Sequence, residues 1–95
     1  MTQEVAYTTP SGEPLDLVLY KSDYCFFCHR VLGTLAGLGL EISVRDVNSD
    51  PDARATLVRE GGKSQVPCLF INGSPLYESA DISEFLQSQV KLRED

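Results

Sequence analysis

Residues 15–28, LDLVLYKSDYCFFC, decide the fold of this 95-residue chain. The first part, Leu15–Tyr20, is mostly apolar and predicts a buried strand, and Lys21–Tyr24 predicts a short polar turn. From Cys28 onward, apolar residues recur at positions i, i+3, i+4, i+7 and i+8, which is the pattern of one helix face. The cysteine pair Cys25 and Cys28 therefore stands where a strand passes into a helix.

The rest of the chain predicts further strands and helices in a definite order. The first helix should end near Gly37 or Gly39, because glycine favours the left-handed conformation of a C-terminal cap. After it we expect a strand over Glu41–Val47 and then a second helix, opened by Ser49 or Asp50 with Pro51 and ended by Gly61-Gly62. A strand over Val66–Ile71, a hairpin turn at Asn72-Gly73 and an edge strand over Pro75–Tyr77 should follow. The last helix should be capped by Ser79, and its buried face should consist of Ile82, Phe85, Leu86 and Val90.

The order βαβ, α, ββ, α predicts an α/β fold. A strand–helix–strand unit requires parallel strands joined by a crossover, whereas the hairpin must be antiparallel. The predicted fold class is a four-stranded mixed sheet flanked by three helices. At this length we expect one domain over residues 15–95, preceded by a flexible leader over residues 1–14.

Charge and hydropathy exclude several classes of protein. The net charge of −6 argues against nucleic acid and anionic membrane surfaces as partners. The longest apolar stretches are far shorter than the roughly 20 residues of a membrane helix. The leader lacks the basic and apolar regions of a secretory signal, so we expect a cytoplasmic protein. We also expect a monomer.

The cysteine pair is the most informative feature of the chain. Cys25 should lie at a helix N-terminus, where free N–H groups and the helix dipole favour a thiolate. Lys21 adds a positive charge nearby. Cys28, one turn later on the apolar face, is then the resolving thiol. In a reducing compartment, such a pair is more often catalytic or metal-binding than a structural disulfide.

The residues also allow three alternatives to a redox pair. The two cysteines could simply be buried thiols. Cys25, Cys28, His29 and Cys68 together contain the atoms of a zinc site, although no second close pair of ligands is present. The string CFFCH over residues 25–29 matches covalent haem attachment, but Met1 is the only methionine and the predicted strands do not suit a small helical cytochrome.

The pattern resembles the glutaredoxin branch of the thioredoxin superfamily from about residue 15 to residue 90. The elements that carry the resemblance are KSDYCFFC at 21–28, QVP at 65–67, the Asn72-Gly73 hairpin and ESAD at 78–81. Residues 66–86 also resemble the N-terminal domain of glutathione transferases. The resemblance implies a thioredoxin-like fold and a glutathione-dependent dithiol oxidoreductase, with Cys25 and Cys28 as the catalytic residues.

The same resemblance implies a glutathione site. Lys21, with Gln65, would meet the glycine carboxylate of glutathione, and Phe27 would lie beside the bound sulfur. A cis peptide bond before Pro67 would present the Val66 backbone to the cysteinyl part. The γ-glutamyl site would be formed by Ser79, Ala80 and Asp81. Cys68 is expected to be a small buried strand residue.

The sequence also departs from the family. Phe26 occupies the position after the first cysteine, where proline is usual, and Ser79-Ala80 is closer to the transferase pattern. The implied partners are glutathione and disulfide or glutathionylated proteins, with no resident metal. Two alternatives stay open: an iron–sulfur cluster held through Cys25 by two subunits and two glutathiones, and a redox-silent glutathione-binding domain.

Overall fold

The computed structural model describes residues 7–92 of the chain, and the side chains of residues 7–91. In this part of the chain the elements, in order, are β1 (Tyr7–Thr8), β2 (Pro14–Leu15), β3 (Leu17–Lys21), α1 (Phe26–Leu38), β4 (Ser43–Asp46), α2 (Pro51–Gly61), β5 (Cys68–Ile71), β6 (Ser74–Leu76), α3 (Ser79–Ser88) and β7 (Lys91–Leu92). No helix among them is long and apolar enough to cross a membrane.

The main sheet has the strand order β4-β3-β5-β6. Strand β3 pairs in parallel with β4, with Leu19 opposite Val44, and antiparallel with β5, with Leu19 opposite Leu69. Strand β6 pairs antiparallel with β5 and forms one edge of the sheet, as Pro75 predicts. The predicted α/β fold, with a four-stranded mixed sheet and three helices, is confirmed.

The core has two layers, one on each face of the main sheet, because successive side chains in a strand point to opposite faces. One layer joins Leu19 and Leu69 of the sheet to the buried faces of α1 and α3, including Val31 and Ile82. The other layer joins neighbouring strand residues to α2, and its buried members are Tyr20, Val47, Ala53, Leu57, Cys68 and Phe70. The sheet is therefore covered by helices on both faces.

The caps of α1 and α2 follow from the sequence. Helix α1 ends before Gly39, whose φ of 71° is left-handed, and α2 ends before Gly62 with φ 86°. The Asp50 carboxylate accepts hydrogen bonds from the backbone N–H groups of Asp52 and Ala53, and Pro51 begins the helix. These predicted boundaries are confirmed, since cap preferences depend on local backbone geometry alone.

The N-terminus of α3 differs from the prediction. Ser79 is the first helical residue and not the cap. Glu78 occupies the cap position with φ 72°, and its side chain makes no hydrogen bond to the N–H groups of the first turn. The predicted buried face is present, with Ile82 and Leu86 buried and Phe85 and Val90 packed against them.

Part of the expected flexible leader is structured. Strand β1 pairs antiparallel with both β2 and β7, forming a second sheet that joins the first and last strands of the described residues. Tyr7 is buried in the core layer of α1 and α3, and its hydroxyl accepts a hydrogen bond of 2.6 Å from the backbone N–H of Glu41. The expectation of a flexible leader is therefore wrong for residues 7–14, and residues 1–6 lie outside the described part. The central strand begins at Leu17, because Leu15 belongs to the second sheet.

Candidate functional site

Cys25 is the N-cap residue of α1. Its backbone is extended, with φ −106° and ψ 116°, and its sulfur accepts a hydrogen bond of 3.3 Å from the backbone N–H of Cys28. The residue is half-buried, in contrast to the other two cysteines, which are buried. A negative charge on this sulfur would face the free N–H groups and the positive end of the helix dipole, which favour an anion.

Cys28 lies one turn further along and has a different environment. Its side chain is fully buried in α1. Burial, followed by a hydrogen bond with Cys25, raises the pKa of Cys28 to about 12. Since a thiolate is the attacking form of cysteine, Cys28 is a poor nucleophile in this state and Cys25 is the thiol placed to react with an external disulfide.

The turn before Cys25 is held by hydrogen bonds from three directions. The buried Ser22 hydroxyl accepts from the backbone N–H of Tyr24 at 3.2 Å and also from the side-chain amide of Asn48. The backbone N–H of Cys25 donates to the Ser22 carbonyl at 3.2 Å. From α1, the Nε2 of His29 donates to the Asp23 carbonyl at 2.8 Å. The position of Cys25 is therefore fixed before a ligand arrives.

The loop before β5 approaches Cys25 from the opposite side. The Val66-Pro67 peptide bond is cis, in agreement with the resemblance. The Sγ of Cys25 donates to the Val66 carbonyl, with 3.7 Å between sulfur and oxygen. This places a backbone carbonyl directly beside the candidate nucleophile.

A groove with a volume of about 300 Å³ runs along the same loop. It is lined by Phe27, Gln65, Val66, Pro67, Glu78 and Ser79. Five of these six are residues that the resemblance implies for a glutathione site, although they come from three separate parts of the chain. Glu78 was missed, and its position directly before Ser79 in the quoted ESAD stretch was the signal that could have identified it.

Three of the predicted binding residues do not line this groove. Ala80 and Asp81 are exposed in the first turn of α3, one and two residues beyond Ser79. Lys21 lies at the end of β3, in the main sheet. The structure therefore brings Ala80 and Asp81 to the groove's α3 end without making them part of its wall.

Lys21 is engaged by two carboxylates. Its Nζ forms ion pairs with Asp23, in the turn before Cys25, and with Asp46 at 3.4 Å, at the end of β4. The hydrogen bond that Lys21 donates to Asp23 is the largest cause of the raised pKa of Lys21. The lysine is therefore a cation, and its charge is already shared between two acidic side chains.

Two aromatic side chains beside Cys25 are strongly exposed. Tyr24 is 91% exposed and Phe26 is 71% exposed. Phe26 packs edge-to-face against Phe27, with ring centroids 5.7 Å apart. Phe27 lines the groove whereas Phe26 does not, so the phenylalanine that replaces the usual proline points to solvent beside the thiol.

Cys68 is fully buried in β5, and its role as a buried strand residue is confirmed. Burial raises the pKa of its thiol. Within residues 7–91, no three or more His, Cys, Asp and Glu side chains lie close enough to hold a metal ion together.

Comparison with known proteins relates the chain to the glutaredoxins, the family that the sequence resembles. The glutaredoxin family model matches residues 17–76. A search of curated proteins found no match. Among solved structures, the holo form of glutaredoxin C1 from Populus tremula x tremuloides is 25% identical with a TM-score of 0.61, and the match covers 76% of this chain and 74% of that one.

Two other similar structures are a glutaredoxin in complex with glutathione and a glutathione transferase. The buckwheat glutaredoxin–glutathione complex is 25% identical with a TM-score of 0.62, over 77% of this chain and 69% of that one. Glutathione transferase Omega 3C from Trametes versicolor is 27% identical with a TM-score of 0.66, over 80% of this chain but only 34% of the transferase. Because the family model spans more than half of the sequence and the cysteine pair occupies the start of α1, the chain belongs to the glutaredoxin family.

Proposed function

We propose that this protein is a glutathione-dependent thiol–disulfide oxidoreductase in which Cys25 is the nucleophile. One observation carries the proposal. The half-buried sulfur of Cys25 caps α1 and lies 3.7 Å from the Val66 carbonyl, at the groove. This arrangement combines a site that stabilises a thiolate with a backbone acceptor for a peptide-like ligand.

In the proposed complex, glutathione lies along the groove with its γ-glutamyl end at α3 and its glycine end toward Lys21. Its cysteinyl backbone pairs with Val66, which brings its sulfur next to Cys25. Its γ-glutamyl carboxylate faces the free N–H groups at the start of α3, near Ser79, because helix N-termini bind anions. Asp81 is an acidic residue in the same turn and pairs with the α-ammonium. At the other end, Lys21 and Gln65 receive the glycine carboxylate.

The reaction proceeds by two thiol–disulfide exchanges. The Cys25 thiolate attacks the glutathione sulfur of a mixed disulfide between glutathione and a substrate thiol. A new bond joins Cys25 to glutathione, the old disulfide breaks, and the substrate leaves as a thiolate that takes up a proton. The thiolate of a second glutathione then attacks the glutathione sulfur on Cys25, releasing oxidised glutathione and regenerating the Cys25 thiolate.

Cys28 offers a second way to complete the cycle. Its attack on the Cys25 sulfur would release glutathione and form a disulfide between the two cysteines. This route requires the buried Cys28 thiol to lose its proton, which the pKa of about 12 opposes. We therefore expect the second glutathione to be the faster resolving thiol for small glutathione disulfides.

The test is a glutathione-coupled disulfide reduction assay on the wild type, Cys25→Ser and Cys28→Ser. We expect Cys25→Ser to lose at least about 100-fold in kcat/KM, because no other thiol of the site is accessible. Cys28→Ser should keep most of the activity through the route with two glutathiones. Cys68→Ala, which removes the third thiol, is the matched control and should remain active. Wild-type activity in Cys25→Ser would overturn the assignment.

A further inference from the structure

The ion pairs of Lys21 have a consequence for ligand selection. The Lys21 side chain is only 15% exposed and lies between two carboxylates, one exposed and one largely covered. The side chain of Asp23 is 64% exposed, whereas that of Asp46 is 21% exposed. Lys21 and its two partners together carry a net negative charge, so a carboxylate ligand meets a cation that is already neutralised.

The two carboxylates differ in how firmly they are held. Asp46 also accepts a hydrogen bond of 2.9 Å from the backbone N–H of Asn48, and that bond is the largest cause of its lowered pKa. Asp23 lies in the turn before Cys25, where its backbone carbonyl is held by His29 while its side chain faces solvent. The exposed Asp23 side chain is therefore the one that an entering carboxylate can replace beside Lys21, whereas burial and the Asn48 N–H hold Asp46 in place.

We propose that Asp23 is a specificity-determining residue, which competes with the C-terminal carboxylate of the incoming tripeptide for Lys21. The inference rests on the proposed function, in which Lys21 receives that carboxylate. It follows that the wild-type protein gains little from a free glycine carboxylate. The ligand class that the site accepts then includes glutathione derivatives whose glycine is esterified or amidated, with an affinity close to that of glutathione.

The experiment compares the binding of two ligands, glutathione and its glycine monoethyl ester, to the reduced protein by titration calorimetry. The variants are Asp23→Asn, Lys21→Gln and Glu41→Gln. Asp23→Asn removes the competing charge and keeps the shape of the side chain. It should increase the affinity for glutathione about two- to fivefold, which corresponds to the energy of a partly exposed ion pair, and leave the affinity for the ester unchanged. Lys21→Gln should bind both ligands equally.

Glu41→Gln is the matched control for net charge. Glu41 is exposed beyond the C-terminal end of α1, about 20 Å along the helix from its first turn. The Glu41→Gln substitution removes one negative charge, as Asp23→Asn does. An equal change in glutathione affinity in both variants would therefore indicate a general charge effect and would overturn the inference.

The remaining outcomes separate this inference from the proposed function. If the wild type binds glutathione, but Asp23→Asn leaves the ratio of glutathione to ester affinity unchanged, the competition is refuted and the oxidoreductase assignment stands. If the wild type strongly prefers glutathione to the ester, Asp23 does not compete and the inference is again refuted. If neither ligand binds and Cys25→Ser is as active as wild type, the proposed function and the inference both fail.

Discussion

The first turns of α1 and α3 both contribute to the groove, through Phe27 and Ser79, but they satisfy their free N–H groups in different ways. Helix α1 uses its own side chain, because the Cys25 sulfur accepts from the N–H of Cys28. Helix α3 has no side-chain cap, and the residue at its cap position, Glu78, has φ 72°. One helix N-terminus therefore faces an atom of the protein, and the other is left open to a ligand.

This difference shows how one physical property supports two tasks. The partial positive charge at a helix N-terminus stabilises any anion placed there. At α1 the proposed anion is the Cys25 thiolate of the proposed reaction, so the effect there concerns reactivity. At α3 the proposed anion is a carboxylate of glutathione, so the effect is directed to binding. The missing cap at α3 leaves its stability to the packing of its buried face.

The largest expected effect separates the two cysteines of α1. In variants that keep only Cys25 or only Cys28, iodoacetamide at pH 8 should modify Cys28 at least about 100-fold more slowly, because its side chain is fully buried and its pKa is about 12. Mass spectrometry over time measures both rates. The same variants in denaturant provide the control and should react alike. Comparable rates in the native proteins would contradict the distinction between the two positions.

A smaller effect concerns the packing of α3. Ile82 is fully buried between α3 and the sheet, so Ile82→Ala should lower the free energy of unfolding by about 3 kcal/mol, as is typical for a truncated core side chain. Urea denaturation measures the change. Glu84→Ala, on the exposed face of the same helix, should change it by less than about 0.5 kcal/mol. A loss below about 1 kcal/mol for Ile82→Ala would show that α3 has another source of stability.

The smallest effect concerns the backbone at the open N-terminus. Glu78 has a positive φ that is unfavourable for a side chain with Cβ, whereas glycine adopts it freely. Strain of this kind costs about 1–3 kcal/mol, and the added flexibility of glycine in the unfolded chain offsets part of the gain. We expect Glu78→Gly to raise the free energy of unfolding by about 1 kcal/mol in urea denaturation. Glu84→Gly, within the helix, should lower it by a similar amount, and a loss in Glu78→Gly would refute the strain.

Much of the fold follows from local signals in the sequence. The limits of α1 and α2, the Asn72-Gly73 turn and the edge position of β6 depend on cap residues, positive φ and proline geometry. The order of strands follows from connection lengths. Local signals did not predict the structure of residues 7–14, because β1 and β2 are two residues long and their pairing depends on β7, at the far end of the chain.

For the candidate site, the residue pattern predicted the cysteine pair at a helix start, and the resemblance to the glutaredoxin family implied the five predicted residues that line the groove. That Asp46 pairs with Lys21 was visible only in the three-dimensional structure. Helix and turn signals act over a few residues along the chain, whereas an ion pair between β3 and β4 depends on which strands lie side by side.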